Sequence, residues 1–281
     1  MSTLREQMAA DLQLRGLTPK TQRVYLREVT NYAKHFGKSP EKLGEKELRE
    51  YLLYLLNERK LSTGTYRFYY QGLKFLYKQT LKQEGVVEKI RCPRANKTLP
   101  VVFALAEIKA LLSMMENLKH RAILTITYSA GLRISEAASL KVTDIDSKRM
   151  MVRVQQGKGR KDRYTILSKT ALECLREYWK AYRPKQWLFE GQHKDTHISV
   201  SAIRQIFLEA KERAGITKPA SPHTLRHSFA THLIEAGTSL HHVQLLLGHR
   251  SPTTTTVYLH VSQMNLSQVS SPLDSIPEEI T

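Results

Sequence analysis

Three features predict a mainly helical chain with one small β-sheet, the α+β class. Apolar residues recur at helical spacing through most of the sequence; Tyr25, Val29, Tyr32 and Phe36, for example, step by 4, 3 and 4. Only two adjacent segments alternate as strands do: 150–155 (M-M-V-R-V-Q) and 163–167 (R-Y-T-I-L), around Gly157 and Gly159. Between two helical regions, 91–103 opens R-C-P-R-A-N-K-T-L-P-V, with two prolines and no period, and reads as a linker. With 281 residues the chain is long enough for two domains.

Residues 1–90 read as four short helices. The first spans 2–14 and stops at Gly16; Thr18-Pro19 then supplies an N-cap and a first helical residue for the Tyr25–Phe36 stripe, which ends at Gly37. A third helix at 45–59 presents Leu48, Tyr51, Leu52 and Leu55, and a fourth at 62–80 is capped by Ser62 and carries Tyr66, Tyr69, Tyr70, Leu73 and Leu76. Aromatic stripes at this period usually pack inward, so these tyrosines are expected in a bundle core. Lys20, Arg23, Arg67 and Lys74 lie among them as candidate phosphate contacts, with plain surface solvation the alternative.

Residues 104–262 read as the larger domain. Helices are expected near 105–116 and 119–130, and Gly131 breaks the pattern before Leu132-Arg133 starts another. An arginine at a helix start stands where backbone N–H groups already favour an anion, and Glu136 is placed to brace it. The strand pair follows, with Lys158 at its turn beside Arg160, Lys161 and Arg163. A helix at 169–182, a strand-like 187–190 and a helix at 198–214 ending at Gly215 come next. After Tyr258 the chain turns polar, and 263–281 holds no Lys or Arg, so it reads as a tail.

Charge narrows the function. The chain carries 44 Lys and Arg against 26 Asp and Glu, a formal net charge of +18. Residues 1–100 hold 20 basic and 10 acidic residues, leaving 24 and 16 for the rest, so both domains are basic. That balance points to a polyanion, above all double-stranded DNA. Two cysteines without C-x-x-C spacing argue against a disulfide frame or zinc ribbon and fit a reducing compartment. No apolar run nears the roughly 18 residues of a membrane span, and the N-terminus lacks a signal-like segment; a cytoplasmic location without membrane contact is expected.

The stretch from His223 to Tyr258 carries the sharpest signal. It places His223 and Arg226 three apart on one helical face, closes an apolar run with Gly248-His249, and reaches Tyr258 nine residues later behind four threonines. Upstream stand G-L-R-I-S-E at 131–136 and G-K-G-R-K-D-R at 157–163. Together these motifs resemble the tyrosine recombinase, or phage integrase, family, and most of all its Xer-like branch. The family's six active-site positions then fall, in order and with the expected residue type, on Arg133, Lys158, His223, Arg226, His249 and Tyr258. Arg160 and Arg163, beside Lys158 on the hairpin of the larger domain, are further candidate DNA contacts, with a solvated turn the alternative. The resemblance implies an N-terminal four-helix core-binding domain that closes over DNA. It implies a C-terminal catalytic domain and a tail that packs on a neighbouring protomer. It also implies a homo-oligomer, a tetramer on paired recombination sites, and leaves room for accessory DNA-bending proteins or a partner recombinase.

The implied reaction is transesterification at a DNA phosphodiester, with Tyr258 forming a 3′-phosphotyrosyl link and freeing a 5′-hydroxyl. No ATP, metal or other cofactor is called for: two arginines grip the phosphate, His249 donates a hydrogen bond, His223 accepts the phenolic proton and Lys158 protonates the departing oxygen. Three rivals read the same residues differently. Zinc could use His223 and His227 at i, i+4 with His232 and His241 nearby, but H-E-x-x-H is absent. A helix-turn-helix regulator could use 237–257 but leaves Arg133, Lys158 and Tyr258 idle. A type IB topoisomerase would share the chemistry and relax supercoils without a second site.

Overall fold

Helix starts and stops fall largely where capping residues stand in the sequence. Thr18 Oγ1 accepts from the Thr21 N–H at 3.3 Å ahead of Pro19, and Gly37, at φ 64°, ends the same helix. The computed structural model describes residues 2–93, 99–155, 162–193, 195–249, 251 and 254–259, and the chain divides into two compact units, Met1–Thr98 and Leu99–Thr281. Lys158 and Arg160, the centre of the expected linker (94–98) and the expected tail (263–281) lie outside the described residues.

The first unit holds α1 (Ser2–Leu14), α2 (Pro19–Phe36), α3 (Glu45–Asn57), α4 (Thr63–Phe75) and the short α5 (Glu84–Glu88). The helix expected at 62–80 is α4 running into a π-helical turn, Leu76–Thr80. α5 has too few residues to show a period in sequence, and only its Val87 is fully buried. The core is rich in tyrosine: Tyr32, Tyr51, Tyr66, Tyr70 and Tyr77 are buried with Met8, Leu12, Leu48 and Leu73. Buried phenols need partners, and the Tyr32 and Tyr77 hydroxyls lie 2.9 Å apart while Tyr77 donates to the Leu43 carbonyl at 3.0 Å. Lys20, Arg23 and Arg67 are exposed, Lys74 is half-buried, and Arg67 donates to the Pro93 carbonyl.

The second unit is built around α7 (Leu118–Ser129), in which Ala122 through Thr127 are all buried. A helix buried on every side has to be wrapped, and here α9 (Lys169–Tyr182), α11 (Pro222–Glu235), α6 (Leu105–Ser113) and α10 (Val200–Arg213) pack against it. Between α7 and α9 lie α8 (Ile134–Ala138) and an antiparallel sheet, β1 (Ile145–Asp146), β2 (Met151–Val154) and β3 (Arg163–Ile166), in that order. β1 spans two residues, too short for an alternation signal. The strand expected at 187–190 forms only single bridges, Lys141 with Trp187 and Glu190 with His197. α12 (Leu240–Leu247) follows α11, and a 3-10 turn, Thr256–Tyr258, closes the described chain.

Register decides which side chains of the sheet face inward. Val152 pairs with Thr165 and Val154 with Arg163, so Arg163 and Thr165 share the face of the two buried valines. Tyr164 and Ile166 point out, at 53% and 37% exposure. β3 is therefore polar inside and apolar outside, the reverse of the usual strand. Thr165 donates to the Ala130 carbonyl at 2.9 Å, and Arg163 reaches a carboxylate in the interior.

Candidate active site

Two glycine turns deliver the site's residues. At the end of α7, Gly131 takes φ 59° and the Leu132 N–H bonds the Thr127 carbonyl, closing the helix in a Schellman motif. A Cβ on Gly131 would stand 2.3 Å from Phe229 of α11, so this turn needs glycine for space as well as for φ. Two residues on, Arg133 is the N-cap of α8, its backbone N–H held by Glu136 Oε2 at 2.8 Å. The same motif ends α12: Gly248 takes φ 62° and the His249 N–H bonds the Gln244 carbonyl. Local sequence thus fixes where Arg133 and His249 leave their helices.

Glu136 is the hub of the site. Its carboxylate accepts from Arg133 Nη1 at 2.6 Å and, bidentately, from Arg163 Nη1 and Nη2 at 2.9 and 2.8 Å, and lies 3.8 Å from Arg226. Burial pushes this carboxyl up, but hydrogen bonds and charge from Arg163, then the Arg133 backbone and side chain, outweigh it and take it to about 2. One fixed anion therefore collects three cations and leaves an excess of positive charge facing the same space. Arg163, expected from sequence among the DNA contacts, has a side chain only 10% exposed that is taken up by Glu136 and the Leu246 carbonyl; its geometry is that of a brace.

Arg226 is 4% exposed on α11 and donates to the Gly131 and Leu247 carbonyls at 2.7 and 2.6 Å and to His249 Nε2 at 3.0 Å. A guanidinium has no lone pair to offer, so Nε2 of His249 must be the acceptor. The imidazole proton then sits on Nδ1 and donates to Thr255 Oγ1 at 2.9 Å. Burial, then Arg226 and Arg133, pushes His249 down to about 4, consistent with that neutral tautomer.

Tyr258 is 2% exposed in the turn after Thr255, and its hydroxyl lies 3.0 Å from Nδ1 of His227. Burial raises its pKa, with Arg226 and then Arg133 acting against the rise, so both arginines are close enough for their charge to be felt at the phenol. His223 stands one turn before His227; desolvation, then Arg226 and Arg133, lowers its pKa. The structure thus brings together Arg133, His223, Arg226, His249 and Tyr258 from four segments of chain, His223 and Arg226 sharing α11. It adds Glu136, Arg163, Thr255 and His227. His227 entered the sequence reading only as a zinc candidate, although its i, i+4 step from His223 put it on the same helical face.

Two of the four histidines in the zinc reading are otherwise engaged, His227 with Tyr258 and His232 Nδ1 with the Tyr128 hydroxyl at 3.0 Å. Among the described residues no group of three or more His, Cys, Asp or Glu side chains is placed to hold a metal ion, and no helix is long and apolar enough to cross a membrane. A buried tyrosine next to clustered arginines suits nucleophilic attack on a phosphate, where negative charge grows on oxygens that fixed cations can hold.

Known proteins resemble this chain in both sequence and fold. Residues 102–264 match the model of the phage integrase family, and residues 4–85 match that of the phage integrase N-terminal SAM-like domain. A putative integrase/recombinase of Sinorhizobium fredii is 45% identical over 278 residues, 99% of this chain and 90% of its own length. The tyrosine recombinase XerA of Pyrococcus horikoshii is 31% identical over 95% of this chain and 92% of its own length. Among solved structures, the XerH site-specific recombinase bound to its difH substrate in a pre-cleavage complex superposes with a TM-score of 0.69 at 26% identity, covering 90% of this chain and 79% of that one.

Proposed function

Given that this chain belongs to the phage integrase family of tyrosine recombinases, the enzymes of site-specific DNA strand exchange, we propose that Tyr258 is its nucleophile and that recombination runs through a covalent 3′-phosphotyrosyl intermediate. The observation that carries this reading is the convergence of a buried tyrosine hydroxyl with Arg226, His249 and Arg133 in one polar cluster. Double-stranded DNA bearing the recombination site is the substrate, in keeping with the net charge of +18 and with the difH-bound XerH neighbour. The chain acts as a homo-oligomer, a tetramer on two paired sites, in the cytoplasm. Lys20, Arg23, Arg67 and Lys74 of the first unit contribute phosphate contacts, as does Arg160.

The chemistry follows from charge. At pH 7 only about 0.1% of an ordinary tyrosine is phenolate, a deficit of about 4 kcal/mol, and burial of Tyr258 makes the deficit larger. A histidine of α11 therefore takes the proton as attack proceeds, the role given to His223 by the sequence. Arg133 and Arg226 hold the non-bridging oxygens with planar, permanently charged forks, preset by Glu136 and by the Gly131 and Leu247 carbonyls. A phosphate oxygen seated on Arg226 offers His249 an anionic acceptor and raises its basicity, so Nε2 gains a proton and becomes a donor. Lys158 protonates the departing 5′-oxygen. Each bond broken is replaced by one of the same kind, so the step needs no external energy source.

The test is adduct trapping on nicked duplexes tiled across the DNA that flanks the gene, with wild type and Tyr258→Phe. A protein-sized shift on a denaturing gel, present with tyrosine and absent with phenylalanine while DNA affinity is kept, is the expected result. Cleavage retained by Tyr258→Phe would sink the assignment.

A further inference from the structure

We infer that His227 receives the phenolic proton of Tyr258 during attack, and that His223, one turn earlier, serves the phosphate instead. This rests on the reading of Tyr258 as the nucleophile and deepens it. A general base has to stand within hydrogen-bond reach of the proton it takes. Among the described residues, the Tyr258 hydroxyl makes its hydrogen bond to His227 Nδ1, at 3.0 Å, and makes none to His223. The i, i+4 step puts both imidazoles on one face of α11, and it is the hydrogen bond to Nδ1 that singles out His227.

The protonation pattern suits the role. A phenol hydroxyl at 2% exposure has to donate somewhere, and the bond to Nδ1 leaves that nitrogen as acceptor with the imidazole proton on Nε2. Burial, then His223 and Arg226, pushes His227 down to about 4, so its lone pair is available at neutral pH. His223 is the exposed member of the pair and lies at the start of α11, under the charge of Arg226 and Arg133. The His227 and Tyr258 rings are tilted with centroids 5.7 Å apart, and the His249 ring lies nearly parallel to Tyr258 at 6.4 Å, so the phenol is held from two sides.

The step balances. As the bond from Tyr258 Oη to phosphorus forms and the bond from phosphorus to O5′ breaks, the phenolic proton passes to His227 Nδ1, giving an imidazolium. The departing O5′ takes a proton from Lys158, and the diester carries one negative charge before and after the step. The growing charge on the phosphate oxygens stabilises the new imidazolium and offsets its low resting basicity. On rejoining, His227 returns the proton to the phenolic oxygen.

The experiment uses the full chain on the nicked duplexes described above, following single-turnover adduct formation from roughly pH 5 to 9. His227→Asn puts an acceptor oxygen near the place of Nδ1 but cannot take a proton, so it separates positioning from proton transfer. It should lose about a hundredfold or more in rate at neutral pH, with DNA affinity kept and a rate that climbs with pH as the phenol ionises by itself. Installing 3,5-difluorotyrosine at position 258, a more acidic phenol, should recover much of that loss. His223→Asn should slow the reaction without that change in pH profile. Should His227→Asn melt early, His227→Gln provides the same readout. A His227 variant that cleaves at the wild-type rate, or slows with a wild-type pH profile, overturns the assignment while Tyr258 stands. If wild type gives no adduct, or Tyr258→Phe gives as much as wild type, the reading of Tyr258 itself falls.

Discussion

Glu136→Gln removes the one anion that holds three arginines, with almost no change of shape. The carboxylate accepts four side-chain and backbone hydrogen bonds from Arg133 and Arg163 and lies 3.8 Å from Arg226, at 7% exposure. A carboxyl lowered from 4.5 to about 2 corresponds to about 3 kcal/mol of stability. Removing one partner from a buried ion pair independently gives about 3–5 kcal/mol. A loss of about 3 kcal/mol at pH 7 is therefore expected. Because the folded-state pKa is depressed, this contribution is full above the unfolded value of 4.5 and fades as pH falls towards about 2, so wild type and variant should converge in acid. Urea unfolding followed by tryptophan fluorescence reads it cleanly: both tryptophans, Trp179 and Trp187, lie in the second unit. A difference under about 1 kcal/mol at pH 7, or one that does not shrink in acid, would refute the hub role.

Three further outcomes are expected. Gly248→Ala combines a left-handed φ with a Cβ 2.7 Å from Arg163 Cδ, so it should cost about 2–3 kcal/mol in a melt, and less when Arg163→Ala has already cleared the space. His227 and His249 are both held from 6.5 down to about 4, so the unfolded chain binds more protons than the folded one between those values; thermal stability should fall as pH drops from about 6.5 to 4, and His227→Asn should flatten part of that slope. Binding to the recombination site should weaken by at least about a hundredfold between roughly 50 and 200 mM salt, with log K linear in log salt; a flat response would refute extensive phosphate contact.

Much of the fold was legible because its signals are local. Thr18-Pro19, Ser62, Gly37 and Gly131 act within one turn, and the stripes of α2, α3 and α4 repeat every three or four residues. What escaped was too short or too dependent on neighbours: α5, β1, and the strand expected at 187–190, which found only single bridges. The inward turn of Arg163 was not legible for a physical reason. Exposed Tyr164 and Ile166 flank an inward arginine and threonine, an alternation that makes sense only once Glu136 is known to wait inside.

Sequence by itself determined the helical class, and it offered, through its resemblance to the family, the ordered candidates Arg133, Lys158, His223, Arg226, His249 and Tyr258. It did so because periodicity, capping and motif spacing are properties of neighbours along the chain. Tertiary structure decided which of those groups touch. It bound Arg226 to His249, turned Arg163 onto Glu136, buried the Tyr258 ring and set its hydroxyl against His227, because each of those contacts joins segments whose separation only packing can close.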